Sequence, residues 1–315
     1  MKLLSSLVTG AAIICATTAQ AGDFYSPVTE GPVSMTFDAG LANIYAEESV
    51  FNGGRTVSRL DWESKGVSLL RGSLSIEVAP DWTVRAEGKT GMDGDGHMTD
   101  YDWIEPHATG QSDSDWSHRS VHDDTRLDHY YSGALELNRT FVNDNGRFAS
   151  LGLGGRYSEV QWSGYGGSYI YSTNDLRDTI GDFTDGQKVI TYRQKMPVAY
   201  ANVRGSQTFG DWTLSGGLEA GALIRAEAPD DHYLRDLRFT DSFDLAAVYG
   251  ANAAIAYNLT KNISLYANGA FEVTDFGTGD THVRNTTTGA TAEFKDTAGA
   301  KFSTASVSLG LKGKF

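Results

Sequence analysis

Residues 212–222 read WTLSGGLEAGA, with apolar or small side chains at every second position and polar or small ones between them. Successive side chains of a β-strand point to opposite faces, so this period of two predicts a strand with one apolar and one polar face. The same alternation occurs at residues 70–78 and 306–312. No stretch after the N-terminal 21 residues is apolar for long enough to predict a transmembrane helix. Strands with one lipid-facing side explain the pattern better.

Turn signals divide the chain into ten strands. Tight turns are predicted where Pro, Asn, Asp and Gly cluster, at residues 79–81, 143–146, 209–211 and 258–262. Long polar connections lie between them, at residues 46–57, 90–125, 163–190, 225–242 and 274–300. Short turns alternating with long loops are typical of outer-membrane barrels, whose short turns are periplasmic. We therefore predict an all-β fold, a ten-stranded antiparallel transmembrane β-barrel of the outer-membrane type.

The N terminus has the pattern of a secretory signal. Lys2 precedes a mostly apolar segment, and the small-x-small site at residues 19–21 predicts cleavage before Gly22. We expect a signal peptide at residues 1–21 and a barrel at residues 22–315. The single cysteine, Cys15, lies in the signal, so the exported chain is expected to contain no disulfide. Loss of Lys2 takes the formal charge from −14 to −15, which disfavours nucleic acid and favours cationic ligands.

A soluble all-β sandwich exported to the periplasm would also explain the alternation. It would not explain the rhythm of short turns and long loops, nor the aromatic residues near the predicted strand ends. It would also leave unexplained why the chain finishes on Phe315 after an alternating strand. A terminal phenylalanine in that position resembles the assembly signal of bacterial outer-membrane barrels, so the membrane barrel is the preferred interpretation.

Two acidic clusters carry the candidate chemistry. Asp100 and Asp102 are two residues apart, as are Asp230 and His232, and in an extended segment such pairs point to one side. The strand plan places the first pair in the second long loop and the other in the fourth, nearly opposite each other across the mouth of the barrel. Histidine can take a proton from water, a carboxylate can orient it, and two facing carboxyls can share a proton. We expect a water-activating groove at the outer rim, although solvated loop charges would give similar clusters.

The chain resembles the omptins, outer-membrane endoproteases of Gram-negative bacteria, along its whole mature length. The matching blocks include Gly53-Gly54-Arg55, Asp100-Tyr101-Asp102-Trp103, Gly166-Gly167-Ser168-Tyr169, Lys195-Met196-Pro197 and Asp230-x-His232-Tyr233. The resemblance implies an aspartic-type endopeptidase that cuts at or near basic residues in a groove facing outside the cell. It also implies that Asp100, Asp102, Asp230 and His232 are the catalytic set.

The resemblance is incomplete where omptins hold the two basic residues that flank the cut. The expected pocket acids fall on Ala228, His118 and the pair Phe51-Asn52. Glu47 and Glu48, upstream in the first loop, are therefore our candidates for substrate binding. Because several pocket acids are missing, we expect the enzyme to tolerate non-basic residues on at least one side of the cut.

Omptins also bind lipopolysaccharide as an activating lipid on the outer wall of the barrel. Tyr157 and Glu159 match that motif, Gln161 replaces its next arginine, and Arg193 is the substitute for its second arginine. We expect no other cofactor and no metal. The expected partners are cationic peptides or proteins and the outer membrane with its lipopolysaccharide, and we expect a monomer.

Other readings remain open from sequence alone. The segment Asp93-Gly94-Asp95-Gly96-His97 could bind Ca²⁺ or another metal ion, although its spacing fits no complete loop motif. A non-enzymatic barrel, such as an adhesin or a small porin, would make the match of the two acidic clusters a coincidence. A lipid-modifying barrel enzyme would share the fold and location, but would need a serine nucleophile or a histidine facing the lipid.

Overall fold

The computed structural model describes residues 32–108 and 110–315, and the predicted signal peptide lies outside this range. In this part of the chain a single 3₁₀ turn spans Tyr233–Arg235. The strands are β1 Val33–Asn52, β2 Arg55–Ala79, β3 Trp82–Met92, β4 Asp95–Asp102, β5 His118–Asp144, β6 Arg147–Tyr165, β7 Ser168–Tyr171, β8 Thr179–Asp182, β9 Lys188–Phe209, β10 Trp212–His232, β11 Leu237–Asn258, β12 Ile263–Asn285 and β13 Thr291–Lys314.

The strands close into a ring of ten. Going round the ring, the order is β1, β2, β3 with β4, β5, β6, β9, β10, β11, β12 and β13, and β13 pairs with β1. β3 and β4 are two halves of one barrel strand, because both pair with β2 and β5. β7 and β8 form a small hairpin attached to β5. The predicted ten-stranded antiparallel barrel is confirmed, and the four tight turns lie within the predicted segments.

One half of the barrel carries an apolar belt. Leu153, Leu245 and Leu309 face outward on this half, with 69%, 70% and 67% of their surface exposed. A membrane-spanning strand needs about 10 residues, whereas β5 has 27 and β10 has 21. The remaining length of each strand extends beyond the belt, at the end of the barrel opposite the four tight turns. We call this part of the barrel the projecting half. No helix in residues 32–108 and 110–315 is long and apolar enough to cross a membrane.

The strands run through most of what the sequence predicted to be long loops. The predicted loop at residues 225–242 is the end of β10 and the start of β11, joined by residues 233–236. The predicted loop at residues 46–57 shrinks to a turn at Gly53 and Gly54. A strand above the membrane has water on its outer face, so it loses the apolar alternation that marks a membrane strand. Polar composition was therefore a poor guide to where these strands end.

The predicted loop positions of the four candidate residues are wrong for the same reason. Asp100 and Asp102 lie in β4, between β2 and β5. Asp230 and His232 lie at the end of β10, paired with β9 and β11. All four are therefore mounted on hydrogen-bonded strands of the projecting half rather than on mobile connections.

A backbone irregularity in β10 reverses which side chains face the barrel interior. Leu223 is buried below it, whereas Ala226 and Asp230 are buried above it, so the buried positions change from odd to even numbers. The pairing with β9 slips between Leu223 and Glu227, and Arg225 has a positive φ of 51°. A β-bulge inserts one residue and redirects the side chains that follow. Asp230 faces inward because of this bulge.

A second irregularity lies between β3 and β4. Asp93 and Gly94 have φ angles of 60° and 105°, and Gly94 packs against the β2 backbone, where a Cβ atom would lie 3.1 Å from the Lys65 carbonyl oxygen. Gly91 faces the interior below this break, and Met98 does so above it. The break therefore turns the even-numbered residues of β4, including Asp100, toward the interior.

Paired charges fill the barrel within the apolar belt. Arg156 contacts Glu219 at 2.6 Å and Glu272 at 3.1 Å, and Arg204 binds Glu136 at 2.5 Å. The cavity among these side chains measures only ≈120 Å³. The interior at this level is thus packed by ion pairs, so a substrate has access to the projecting half and its rim.

Candidate active site

Stacked aromatic side chains form the floor of the projecting half. The Trp62 ring lies 6.1 Å from Trp162 and 5.6 Å from Tyr192, centroid to centroid, and all three side chains are buried. The Trp162 indole N–H donates to Ser64 Oγ at 2.9 Å. Buried aromatic groups on β2, β6 and β9 hold these strands at fixed spacing, so they give the site above them a rigid base.

The histidine dyad lies at the end of β10. His232 Nε2 and Asp230 Oδ2 are 2.5 Å apart, and Phe239 packs edge-on against the imidazole with ring centroids 5.2 Å apart. Asp230 is almost fully buried, whereas 19% of the His232 side chain is exposed. With Nε2–H donating to Asp230, Nδ1 is the nitrogen that can accept a proton. The arrangement is that of a general base oriented by a carboxylate.

Asp100 and Asp102 face the dyad from β4. Burial raises the pKa of Asp100 well above its usual range, and the charges of Asp102 and Asp230 raise it further. Burial also raises the pKa of Asp102, partly offset by the Ser58 hydroxyl and by His232. Ser58 Oγ donates to Asp100 Oδ1 at 3.4 Å. These mutual effects require proximity, so the structure brings the four residues from two distant segments to one place, where repulsion between the two carboxylates favours a proton on one of them.

Two further acids lie next to the dyad, inside the barrel. Glu48 and Asp241 are only 4% and 3% exposed. Burial raises the pKa of Glu48 well above its usual range, and the charges of Asp230, Asp241 and Asp100 add to this. Burial and the Asp230 charge raise the pKa of Asp241 to about 7, although Asp241 Oδ1 accepts a 2.7 Å hydrogen bond from Thr281. Glu48 Oε2 and Asp230 Oδ1 are buried without a hydrogen-bond partner in the described ranges.

Sequence reasoning missed Asp241. It lies directly opposite Ala228 in the β10–β11 pair, where the resemblance had led us to expect an acid at residue 228. The tight turn at residues 233–236 fixes this register, which also pairs Asp230 with Phe239. Recognition of that turn from sequence would have placed Asp241 beside residue 228. The long predicted loop concealed it.

The two predicted substrate-binding glutamates point in different directions. Glu48 is buried beside Asp230 and Asp241, whereas Glu47 lies on the opposite face of β1. Glu47 Oε1 pairs with Lys301 Nζ at 2.9 Å and accepts a 3.1 Å hydrogen bond from Ser49. The structure therefore brings Glu48 to the dyad and leaves Glu47 engaged with a lysine on β13.

The histidine–hydroxyl pair formed by Ser120 and His122 is closed to substrate. Ser120 Oγ lies 3.1 Å from His122 Nε2, and His122 Nδ1 lies 2.6 Å from the Gly166 carbonyl oxygen, to which it donates. Both side chains are buried, and burial lowers the pKa of His122. The ring stacks on Phe183 at 5.2 Å. His122 thus ties β5 to the segment that carries β7 and β8.

The predicted lipid-binding residues lie together on the outer wall, at the upper edge of the apolar belt. Tyr157 Oη donates to Glu159 Oε2 at 2.7 Å, and Arg193 Nη1 lies 3.6 Å from Glu159 Oε1. His129 Nε2 is 3.0 Å from the same oxygen. Gln161, where an arginine was expected, accepts a 2.6 Å hydrogen bond from Arg193 Nε. The structure brings Tyr157, Glu159 and Arg193 into one polar group on neighbouring strands.

The glycine-spaced aspartates form part of the strand break. Asp93 and Gly94 separate β3 from β4, and His97 Nδ1 contacts Asp123 Oδ1 at 3.0 Å. Among the described residues, no three His, Cys, Asp or Glu side chains are arranged to hold one metal ion.

Comparison with known proteins gives one consistent result. The model of the Omptin family matches residues 29–315. The chain is 28% identical over 290 residues to the plasminogen activator of Yersinia pestis, covering 90% of each protein. It is 27% identical over 285 residues to the outer membrane protease OmpP of Escherichia coli K12, covering 89% of this chain and 88% of that protein.

Comparison of the fold with solved structures identifies the same family. The crystal structure of the outer membrane protease OmpT from Escherichia coli matches with a TM-score of 0.86 and 25% identity, covering 91% of this chain and 98% of that one. The family match extends over nearly all of the chain, including both strands that carry the acidic clusters. The chain therefore belongs to the omptin family, and it is a protease, a peptide hydrolase of the Gram-negative outer membrane.

Proposed function

We propose that this omptin cleaves peptide bonds with a water molecule activated by His232 and held against Asp100 and Asp102. The observation that carries the proposal is the 2.5 Å contact between His232 Nε2 and Asp230 Oδ2, opposite a carboxyl pair that favours a shared proton. The projecting half would face outside the cell, where it meets protein substrates directly.

The chemistry follows from the protonation states. Water attacks the scissile carbonyl carbon while His232 Nδ1 takes its proton, and Asp230 stabilises the imidazolium through Nε2. The carbonyl oxygen gains negative charge and accepts the proton shared by Asp100 and Asp102. The tetrahedral intermediate then loses its amine as the carbon–nitrogen bond breaks. His232 returns its proton to that amine, and the oxygen returns the other proton to the carboxyl pair.

We further propose that a basic side chain on the amino side of the cut enters between Glu48 and Asp241. Two buried acids beside Asp230, with the Glu48 Oε2 atom lacking a hydrogen bond in the described ranges, would gain from a cationic guest. A guanidinium supplies five donors to such oxygens and relieves the repulsion among the carboxylates. Asp241 would thus perform the role of the acid that is absent at Ala228.

Lipopolysaccharide is the proposed activating lipid. Arg193 is 38% exposed beside Glu159, at the height where lipid phosphates meet the outer wall. An arginine binds phosphate through paired N–H donors, and Tyr157 can add a hydroxyl contact. The support is the clustering of these side chains at the edge of the apolar belt.

The test is to refold the mature chain in detergent with and without lipopolysaccharide and to digest a diverse peptide library. Mass spectrometry of the products reports activity and specificity together. We expect cuts after arginine or lysine, and more of them with the lipid. The His232→Ala variant is the matched control, because it keeps the strand backbone and removes only the base. Equal product yields from both proteins would refute the mechanism.

A further inference from the structure

The catalytic groove has two unlike sides, and the ring order defines them. β4 carries Asp100 and Asp102, and β10 carries Asp230 and His232. One arc between these two strands contains β2, β1, β13, β12 and β11. The other arc contains β5, β6 and β9, with the β7–β8 hairpin attached. A peptide that passes between the two pairs must therefore place one flank of its cut on each arc.

The first arc is acidic beside the dyad. It supplies Glu48 from β1 and Asp241 from β11, both almost fully buried. This is the side on which the proposed function places the basic residue.

Among the described residues of the second arc, a histidine rather than an acid occupies the equivalent position. His118 on β5 lies directly opposite Asp102 in the β4–β5 pair, and its ring centroid is 5.2 Å from that of Tyr171 on β7. Ser117 Oγ contacts His118 Nδ1 at 2.9 Å. The residue that faces a substrate beside Asp102 on this arc is thus a histidine with an aromatic neighbour.

A cation completes this side. Arg235 follows His232 by three residues, in the 3₁₀ turn at the tip of the β10–β11 hairpin. Its positive charge lowers the pKa values of Asp100, Asp102 and Tyr171, so Arg235 lies within electrostatic reach of the carboxyl pair and of the tyrosine that contacts His118. No salt bridge occupies it within residues 32–108 and 110–315. Lys188 Nζ lies 5.4 Å from the ring centroid of Tyr233, in the same turn as Arg235, and adds a second positive charge to this hairpin tip.

We infer that Arg235 and His118 form a subsite for an acidic side chain on the carboxyl side of the cut. The inference rests on the proposed function. The preferred sequence at the cut is then a basic residue followed by an acidic residue. The groove presents negative charge to the first side chain and positive charge to the second. A lysine after the cut would meet Arg235 instead of a carboxylate, which disfavours it.

The experiment uses three peptides that differ only in the residue after a single arginine: glutamate, alanine or lysine. The refolded full mature chain should cut the glutamate peptide with the highest kcat/KM and the lysine peptide with the lowest. Arg235→Gln should lower kcat/KM for the glutamate peptide about tenfold, the size of one lost charge-assisted hydrogen bond, chiefly through KM. The alanine peptide should lose several-fold less than the glutamate peptide, because it makes no such bond and reports only the effect of the charge on the catalytic carboxyls.

Arg238→Gln is the matched control, because Arg238 lies on the same hairpin but pairs outward with Asp231 at 2.6 Å. It should preserve the ranking of the three peptides, and Arg235→Glu should move the preference to lysine. Preference for lysine in the unmodified protein would overturn the inference alone. An equal loss of kcat/KM on all three peptides in Arg235→Gln would also overturn it, since Arg235 would then act through the catalytic carboxyls alone. Failure to cut any of the peptides would overturn the proposed function as well.

Discussion

Ala228 and Asp241 lie directly opposite each other across the β10–β11 pair, so the acid that is absent from one strand is present on its neighbour. Side chains opposite one another in an antiparallel pair have Cβ atoms about 5 Å apart. A carboxylate at either position therefore reaches nearly the same space beside Asp230. Moving an acid from one of these positions to the other conserves the local charge, but it changes the direction from which the carboxylate reaches this space.

This relationship predicts that Asp241→Ala lowers kcat/KM for peptides cut after arginine by about tenfold or more, because one charge partner is lost. Adding Ala228→Asp to that variant should restore part of the loss. Kinetics on a peptide with arginine and on its alanine counterpart provide the measurement. If kcat/KM falls by the same factor for both peptides in Asp241→Ala, the carboxylate does not bind the basic side chain.

Asp241 should also make the stability of the barrel depend on pH. Its pKa is about 7 in the folded chain, above the 3.8 of an unperturbed aspartate. Between these two pH values the folded state binds more protons than the unfolded state, so stability falls as pH rises. Asp241→Asn keeps the acceptor for Thr281 and removes the charge, so we expect it to stabilise the barrel at pH 8 by on the order of 2 kcal/mol and far less at pH 4. Denaturant unfolding at both pH values measures the difference; equal gains would contradict the assignment.

The dyad and the carboxyl pair should behave as one catalytic unit. His232→Ala and Asp230→Ala should each reduce kcat at least about 1,000-fold, while the barrel still folds because the backbone of β10 keeps its ladder. Asp100→Ala combined with His232→Ala should lose little more than the single variant, since residues that act together are not additive. If the loss of kcat in the double variant were the product of the two single losses, the two pairs would work independently.

The pH–rate profile should be bell-shaped. Activity falls on the acid side because only neutral imidazole accepts a proton from water. It falls on the alkaline side as the carboxyl pair, whose pKa values are raised by burial, loses its shared proton. Steady-state rates on one peptide between pH 4 and pH 10 give the profile. A rate that climbs steadily down to pH 4 would instead indicate a carboxyl pair that works without histidine.

Deletion of Arg225 should abolish activity without abolishing the barrel. Removing the bulged residue slips the upper part of β10 by one position, and a one-residue slip moves every side chain to the other face. Asp230 and His232 would then swap faces with their neighbours. Arg225→Gly is the matched control, because glycine adopts the positive φ of 51° freely. Activity that survives the deletion would show that the bulge does not orient the dyad.

The outer-wall cluster predicts a lipid-dependent phenotype. Arg193→Ala should raise the lipopolysaccharide concentration needed for half-maximal activity about tenfold, because a phosphate contact is lost. Arg147→Ala serves as the control, since Arg147 pairs with Asp144 at the turn on the opposite end of the barrel. Titration of activity with lipopolysaccharide distinguishes the two. Identical titration curves for both variants would remove Arg193 from the lipid site.

The fold was predictable because lipid imposes a simple rule on sequence. Each membrane strand must alternate, as residues 212–222 do, and each tight turn needs residues such as Asn145 and Gly146. The number of strands and their order followed from counting these signals. The reach of the strands beyond the belt did not, because water on the outer face removes the alternation there. The segments above the belt are polar in composition, and loops have the same composition.

By itself, the sequence determined the barrel and the family, and it singled out Asp100, Asp102, Asp230 and His232 as the candidate catalytic residues, since each of these depends on local pattern or residue identity. Only the tertiary structure decided which way those residues face and what surrounds them. The bulge at Arg225 turns the dyad inward, and the hairpin register places Asp241 opposite Ala228. The burial of the dyad and the charges beside it come from strands that are distant in sequence. Their physical cause is the closure of the ring, which no local pattern contains.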